Sequence, residues 1–181
     1  MTEGLLRSEW GKQMSQAEMT SDCSRCVGLC CVALSFQRSD GFGHDKVAGD
    51  PCYHLDTSFR CSIHARREAL GYDGCGEFDC LGAGQRATSV FSTRNWRRDP
   101  AVARQLHARF SLLIRLQEMR QALIEADDLD IQTELNDVRQ ELLDRIIFLA
   151  DTHHDSIDGP AAAVLAEAKD FLGELARVAP H

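Results

Sequence analysis

Cys23-Ser24-Arg25-Cys26-Val27-Gly28-Leu29-Cys30-Cys31 places four thiols in nine residues, and the reading of that run decides what kind of fold its half of the chain can have. Two cysteines two residues apart can curl their thiolates onto one ion, because a tight turn aims both side chains at the same point. Gly28 helps the chain double back. Outward from the run come Cys52, Cys61 and then Cys75-Gly76-Glu77-Phe78-Asp79-Cys80, which complete a set of eight cysteines. Thiolates at this density are soft donors that select zinc, copper(I) or iron-sulfur clusters over magnesium, calcium or manganese. Without a cation they would repel one another. The expected metal ligands are therefore Cys23, Cys26, Cys30, Cys31, Cys52, Cys61, Cys75 and Cys80. The expected cofactor is an iron-sulfur cluster, with a 4Fe-4S core placed first, or zinc.

Eight thiolates could form two four-cysteine zinc sites, one four-iron cluster with four cysteines left over, or two clusters. The adjacent pair Cys30-Cys31 argues against a simple zinc ribbon, because neighbours in an extended segment point to opposite sides. One of the two could instead be a small buried hydrophobe. His54 and His64 lie close to Cys52 and Cys61, and His44 sits between ligand groups. Each could ligate, or hydrogen-bond to a ligand, although a solvated or capping role is the commoner one for a lone histidine. Glu77 and Asp79 lie between two expected ligands and read as a solvated hairpin tip.

From Ser21 to about Gly84 the sequence reads as short loops and turns, with too few periodic apolar residues to build a core. Bound metal is what would hold such a stretch. One short helix fits between Ile63 and Leu70, ended by Gly71 as a left-handed cap. From Asp99 the character changes. Asp99 suits an N-cap and Pro100 the first helical position, and apolar residues then recur at Val102, Leu106, Phe110, Leu113, Leu116 and Leu123. A second helix is expected from near Asp130 through Ile131, Leu135, Val138, Leu142, Ile146 and Leu149. The third follows Asp158-Gly159-Pro160, with Val164, Leu165, Ala168, Leu172, Leu175 and Val178, and Pro180 stops it.

The expected fold is thus mainly α: an irregular metal-stapled cysteine-rich module followed by a C-terminal antiparallel three-helix bundle. The expected division is a flexible N-terminal segment at 1–20, with one short helix through Leu5 and Trp10, a metal-binding module at 21–98 and an acidic helical bundle at 99–181. Charge follows the same division. Up to Arg98 there are 12 acidic and 12 basic residues, whereas the remainder has 16 acidic against 8 basic and so carries the whole net charge of −8. With no basic cluster, nucleic acid and anionic lipid are not expected partners. No stretch reaches the roughly 20 apolar residues of a membrane span, and the amino terminus has no apolar core of a secretory signal. The expected location is cytoplasmic, where thiols stay reduced, and this favours metal over a disulfide framework.

Three other features are weighed and set lower. Gly82-Ala83-Gly84-Gln85 lacks the lysine and hydroxyl residue of a phosphate loop and reads as a turn. His153-His154-Asp155 could bind a divalent ion but reads as a solvated loop. Arg94, Arg97 and Arg98 with Trp96 form a basic-aromatic patch whose expected use is packing between the two halves.

The double-cysteine opening, Gly49-Asp50-Pro51-Cys52-Tyr53-His54-Leu55, Arg60-Cys61-Ser62-Ile63-His64, and then Cys75 and Cys80 together resemble the YkgJ-type cysteine-cluster family, a zinc- or iron-chelating domain. The resemblance covers Cys23 to Cys80 and gives every cysteine a counterpart, with one departure: three residues rather than two separate Cys26 from Cys30. That family includes flagellin lysine methylases, so the resemblance implies that an iron-sulfur-dependent enzyme is conceivable. Gly28-Leu29-Cys30-Cys31-Val32-Ala33-Leu34, Asp45-Lys46 and Asp79-Cys80-Leu81-Gly82-Ala83-Gly84-Gln85 are more closely similar to the leader region of actinobacterial pentapeptide-repeat proteins. The repeat itself is missing here, which implies a leader module standing alone.

Three functions follow as expectations. The first is a metal-binding protein with a redox, sensory or structural role. The second is an enzyme that transfers methyl groups or electrons at the cluster. The third is a partner-binding or self-associating module built on the acidic bundle, with structural zinc.

Overall fold

The computed structural model describes residues 19–39, 41–91, 95–129, 131–152 and 159–178. The expected helix through Leu5 and Trp10, the cluster His153-His154-Asp155, and Arg94, Asp130, Asp158 and Pro180 lie outside the described residues. Six α-helices stand among those described: α1 (Cys30–Ala33), α2 (Asp73–Glu77), α3 (Ala83–Val90), α4 (Pro100–Glu125), α5 (Thr133–Asp151) and α6 (Pro160–Val178). Single 3-10 turns occupy Cys23–Arg25, His64–Arg66, Glu68–Leu70 and Ala126–Asp128. Extended pairing among the described residues is limited to isolated antiparallel bridges, Phe36 with Lys46, Ser39 with Phe42 and Leu55 with Cys61. The fold is mainly helical. None of the described helices is long and apolar enough to cross a membrane.

Two compact units divide the chain, and the boundary between Ser111 and Leu112 falls within α4. The start of α4 follows from its chemistry. Asp99 Oδ1 accepts the N–H of Ala101 at 2.9 Å and of Val102 at 3.3 Å, satisfying amides that have no partner inside the helix. Pro100 comes first, where its missing N–H costs nothing. Val102, Leu106, Phe110, Leu113, Leu116 and Leu123 are all buried, as their spacing predicts.

In the first unit, Thr20–Ser111, the expectation of no core is overturned. Leu29, Val32, Leu55, Ile63, Tyr72, Ala83, Ala87, Phe91 and Trp96 are buried. Val32 lies on α1 and Ala83 and Ala87 on α3, while the others come from loops and turns, so no single window of sequence reveals them as a set. The expected helix before Gly71 is a pair of 3-10 turns, closed by Gly71 at φ 76° whose N–H donates to Glu68 O at 3.0 Å.

In the second unit, α5 packs along α6, and Arg145 on α5 meets Glu167 on α6 at 2.8 Å. The start of α5 is later than expected. Ile131 precedes the helix, its N–H turned back to Leu129 O at 3.0 Å, because the turn Ala126–Asp128 must first close α4. Val138 is 44% exposed although the spacing assigned it inward, and its neighbour Arg139 is buried instead. The reason lies at the end of α4. Arg139 Nη1 donates to Leu123 O at 3.0 Å, Nη2 to Asp127 Oδ1 at 2.5 Å and Nε to Asn136 Oδ1 at 2.9 Å. A cation there satisfies a terminal carbonyl and opposes the negative end of the helix dipole. Pro160 opens α6 after Gly159, and Ala161, Val164, Leu165, Ala168, Phe171 and Leu175 form its buried face.

Candidate metal centre

The first cysteine run doubles back where Gly28 takes φ +73°. A Cβ there would stand 2.5 Å from Leu55 Cδ1 and 3.1 Å from Phe59 O, so neither the conformation nor the space admits a side chain. The chain then enters α1, with Cys31 N–H donating to Gly28 O at 3.0 Å and Ala33 N–H to Leu29 O at 2.8 Å. Because Cys30 and Cys31 occupy a helical turn rather than an extended segment, their side chains are about 100° apart instead of opposed. Both face one cavity, contrary to the expectation from an extended pair.

That cavity measures about 560 Å³ and is lined by Cys23, Cys26, Cys30, Cys31, Cys52, Cys61 and Cys75, together with Phe36, Phe42, Ile63, Tyr72 and Phe78. Cys80 is not among the lining residues, but its sulfur lies near one that is. A Cβ on Gly84 would lie 2.9 Å from Cys26 Sγ and 3.5 Å from Cys80 Sγ, so the two sulfurs converge over that glycine. Ser21 Oγ is 3.0 Å from Cys80 Sγ. All eight cysteines are free thiols. No three His, Cys, Asp or Glu side chains among the described residues stand close enough together to hold one metal ion.

Their ionisation is uneven. The Cys31 thiol, hydrogen-bonded to Cys30 and Cys61, brings Cys30 down to about 7 and Cys61 down to about 6. Cys31 is itself pushed far up, chiefly by those same two contacts, and keeps its proton longest. Burial raises Cys75 to about 11 and raises Cys23, Cys26 and Cys52. Three cations oppose this accumulation of potential negative charge. Buried Lys46 Nζ donates to Val32 O at 2.9 Å and to Leu34 O, and burial lowers its pKa while Cys52 and Cys31 work the other way. Arg67 Nη1 donates to Cys75 O at 2.8 Å. Arg60 clamps the opening run, with Nη1 donating to Cys26 O at 2.8 Å and to Cys23 O, and Nη2 to Ser24 O at 2.6 Å.

The turn that aims Arg60 is built by Asp56, whose Oδ1 accepts the N–H of Ser58 at 2.8 Å and of Arg60 at 2.9 Å. Within it Phe59 is held at φ 62°, a conformation that costs a non-glycine residue about 1–3 kcal/mol. Its ring meets Trp96 at 5.4 Å, and the Arg97 guanidinium lies 5.0 Å from the same ring. Trp96 Nε1 donates to Val27 O at 3.3 Å, and Arg97 Nη2 to Asp56 O at 2.8 Å. Trp96 and Arg97 of the basic-aromatic patch thus fasten the ligand loops of the first unit.

Two of the three histidines belong to an aromatic cluster beside Cys52. Buried Tyr72 OH is shared by His44 Nδ1 at 2.8 Å, His54 Nε2 at 3.1 Å and Tyr53 OH at 3.2 Å. His44 Nε2 lies 3.8 Å from Cys52 Sγ. Burial lowers the pKa of His44 and raises that of Tyr72. His64 is exposed at the cavity wall. Asp79 is a turn residue, its Oδ1 accepting from Ser21 Oγ and from Leu81 N–H at 2.8 Å, and Glu77 is exposed. Gly82 turns the chain into α3, and Gln85 ties that helix to the ligand run, accepting from Asp22 N–H at 3.2 Å and donating to Thr20 O at 2.7 Å.

Sequence reasoning missed Tyr72, Lys46, Arg60 and Arg67. For Arg60 a signal was present, since a fixed cation next to Cys61 suits a thiolate. For Tyr72, 28 residues from His44, there was none. No protein-family profile matches the chain, and no solved structure matches it. A stretch of 115 residues is 38% identical to the uncharacterized protein YybG of Bacillus subtilis (strain 168). The match covers 63% of this chain and 41% of that protein, so the chain spans less than half the length of this curated relative.

Proposed function

We propose that Thr20–Ser111 bind an iron-sulfur centre through thiolates drawn from the eight cysteines, four to a cluster, and that the protein serves a redox or sensory role at that centre. The observation that carries this reading is that seven of the eight thiols line one cavity of about 560 Å³. A structural zinc needs four donors at about 2.0–2.3 Å from one point. An iron-sulfur core is a multi-atom body held by thiolates, and a cavity of this size lined by cysteines has room for one. Cys30 and Cys61, with the lowest thiol pKa values here, are the first to offer thiolates. Lys46, Arg60 and Arg67 offset the charge.

When bound, such a centre supplies one-electron chemistry. This chain's residues bind it, exclude water with Phe36, Phe42 and Ile63, and fix the ligand loops through Arg60 and Trp96. In this reading the metal staples the cysteine-rich module, and α4, α5 and α6 form an antiparallel bundle that offers a surface for a protein partner or self-association. A cytoplasmic location would keep the thiols reduced. The resemblance of Cys23 to Cys80 to YkgJ-type domains supports chelation of iron or zinc. An enzymatic reading draws on one observation, the aromatic wall shared with the thiols, which gives room for a substrate beside the centre.

Anaerobic purification followed by an absorption spectrum and parallel iron, acid-labile sulfide, zinc and copper analysis tests the proposal. Broad visible absorption with iron and sulfide is the expected result. A colourless protein with zinc alone would replace it by the structural reading.

A further inference from the structure

We propose that the outward face of α5 docks a basic amphipathic helix of a partner protein, with Val138 and Phe148 as apolar anchors and Glu134, Asp137, Glu141 and Asp144 meeting its lysines and arginines. This rests on the reading of the helical bundle as a partner surface and is independent of the metal centre. Phe148 is 66% exposed and Val138 44%, the two large apolar side chains that α5 leaves in water. At about 100° per residue they fall on one side of the helix, separated by about 15 Å along its axis. Leu142, Leu143, Ile146 and Leu149 form the opposite, buried side.

Charge selects the occupant. Glu134, Asp137, Glu141 and Asp144 are exposed on that same side. They follow one another at steps of three or four residues, a spacing at which like charges face each other and cost a helix stability. The two arginines of α5 do not cancel them. Arg139 is buried, and Arg145 lies 2.8 Å from Glu167 on α6 against 3.9 Å from Glu141. Gln140 Nε2 donates to Asp144 Oδ1 at 2.9 Å, but a neutral amide leaves the carboxylate its charge. A basic amphipathic helix relieves the repulsion and covers both apolar side chains together, as such helices do when they lay their apolar side on a partner. A second copy of this chain would set the same four carboxylates against their own kind, and nucleic acid or an anionic membrane carries the wrong sign.

The test is fluorescence anisotropy of a labelled helical peptide of leucine and lysine, titrated with the full chain at low and at high salt. The variants are Phe148→Ala, Glu141→Lys and, as a charge reversal at an exposed position of α4, Glu118→Lys, with circular dichroism on each. The expected result is saturable binding that weakens with salt and falls roughly tenfold in Phe148→Ala and several-fold in Glu141→Lys, while Glu118→Lys stays near the parent chain. Absence of binding, unchanged affinity in Phe148→Ala, or an equal loss from Glu118→Lys and Glu141→Lys would overturn the inference. So would sedimentation showing a dimer that Phe148→Ala dissociates, since a second copy would then hold the face. A chain without iron or sulfide would remove the metal reading and leave this one standing.

Discussion

Replacing Gly84 by alanine should weaken metal binding while leaving the helix that carries it intact. Gly84 is the second residue of α3, and its missing side chain is what lets Cys26 Sγ and Cys80 Sγ approach, 2.9 and 3.5 Å from where a Cβ would be. Contact at 2.9 Å requires a shift. In the metal-free protein the Cys26 thiol can rotate away, and alanine adds up to about 1 kcal/mol of helix propensity. In the loaded protein the sulfur is pinned to the metal, and overpacking costs about 1–3 kcal/mol. The two states therefore move apart by about 1–3 kcal/mol, which is a loss of roughly 5–150-fold in metal affinity. A chelator competition series, followed by absorbance with circular dichroism in parallel, reads both sides. Equal or tighter metal retention in Gly84→Ala would refute the placement of Cys26 and Cys80 as converging ligands.

Arg60→Ala removes the donors to the carbonyls of Cys23, Ser24 and Cys26 and should cost the loaded module about 2 kcal/mol, seen as earlier metal loss on chelator titration; Arg60→Lys, without the planar fork, should recover only part. Cys26→Ser should release metal and destabilise residues 21–84 while much of the helical circular dichroism from α4 to α6 persists, and full metal content in that variant would remove Cys26 from the ligand set. Arg139→Ala removes the buried guanidinium that donates to Leu123 O, Asp127 Oδ1 and Asn136 Oδ1 and should destabilise the second unit by about 3 kcal/mol, measured by thermal denaturation. Gly173→Ala, in α6 with open space at the Cβ position, should raise stability by about 0.5–1 kcal/mol in the same assay.

The long helices were legible because each has a local cause, whereas α1 and α2 lie in the stretch that reads as loops and turns and were not. Asp99 and Pro100 mark the start of α4 by side-chain chemistry alone, and the burial of Leu106, Phe110 and Leu113 follows from their spacing. Arg139 was not legible, since its inward place depends on where the end of α4 lies relative to it, which no window of sequence contains. The same holds for the first unit. Leu29, Leu55 and Trp96 share burial but no period, and the Tyr72 hydroxyl gathers residues from two other loops. That the cysteines belong together was readable from density. That Cys30 and Cys31 face the same way was not, because it turns on a single helical turn started by Gly28.

X-ray absorption at the iron edge of the anaerobically purified chain addresses the central claim most directly. The account predicts iron in a sulfur shell together with a metal–metal vector, as a multi-atom core within the cavity of Cys23 to Cys75 requires. A chain without iron, whose zinc-edge spectrum shows four sulfurs at about 2.3 Å and no metal–metal vector, would contradict it.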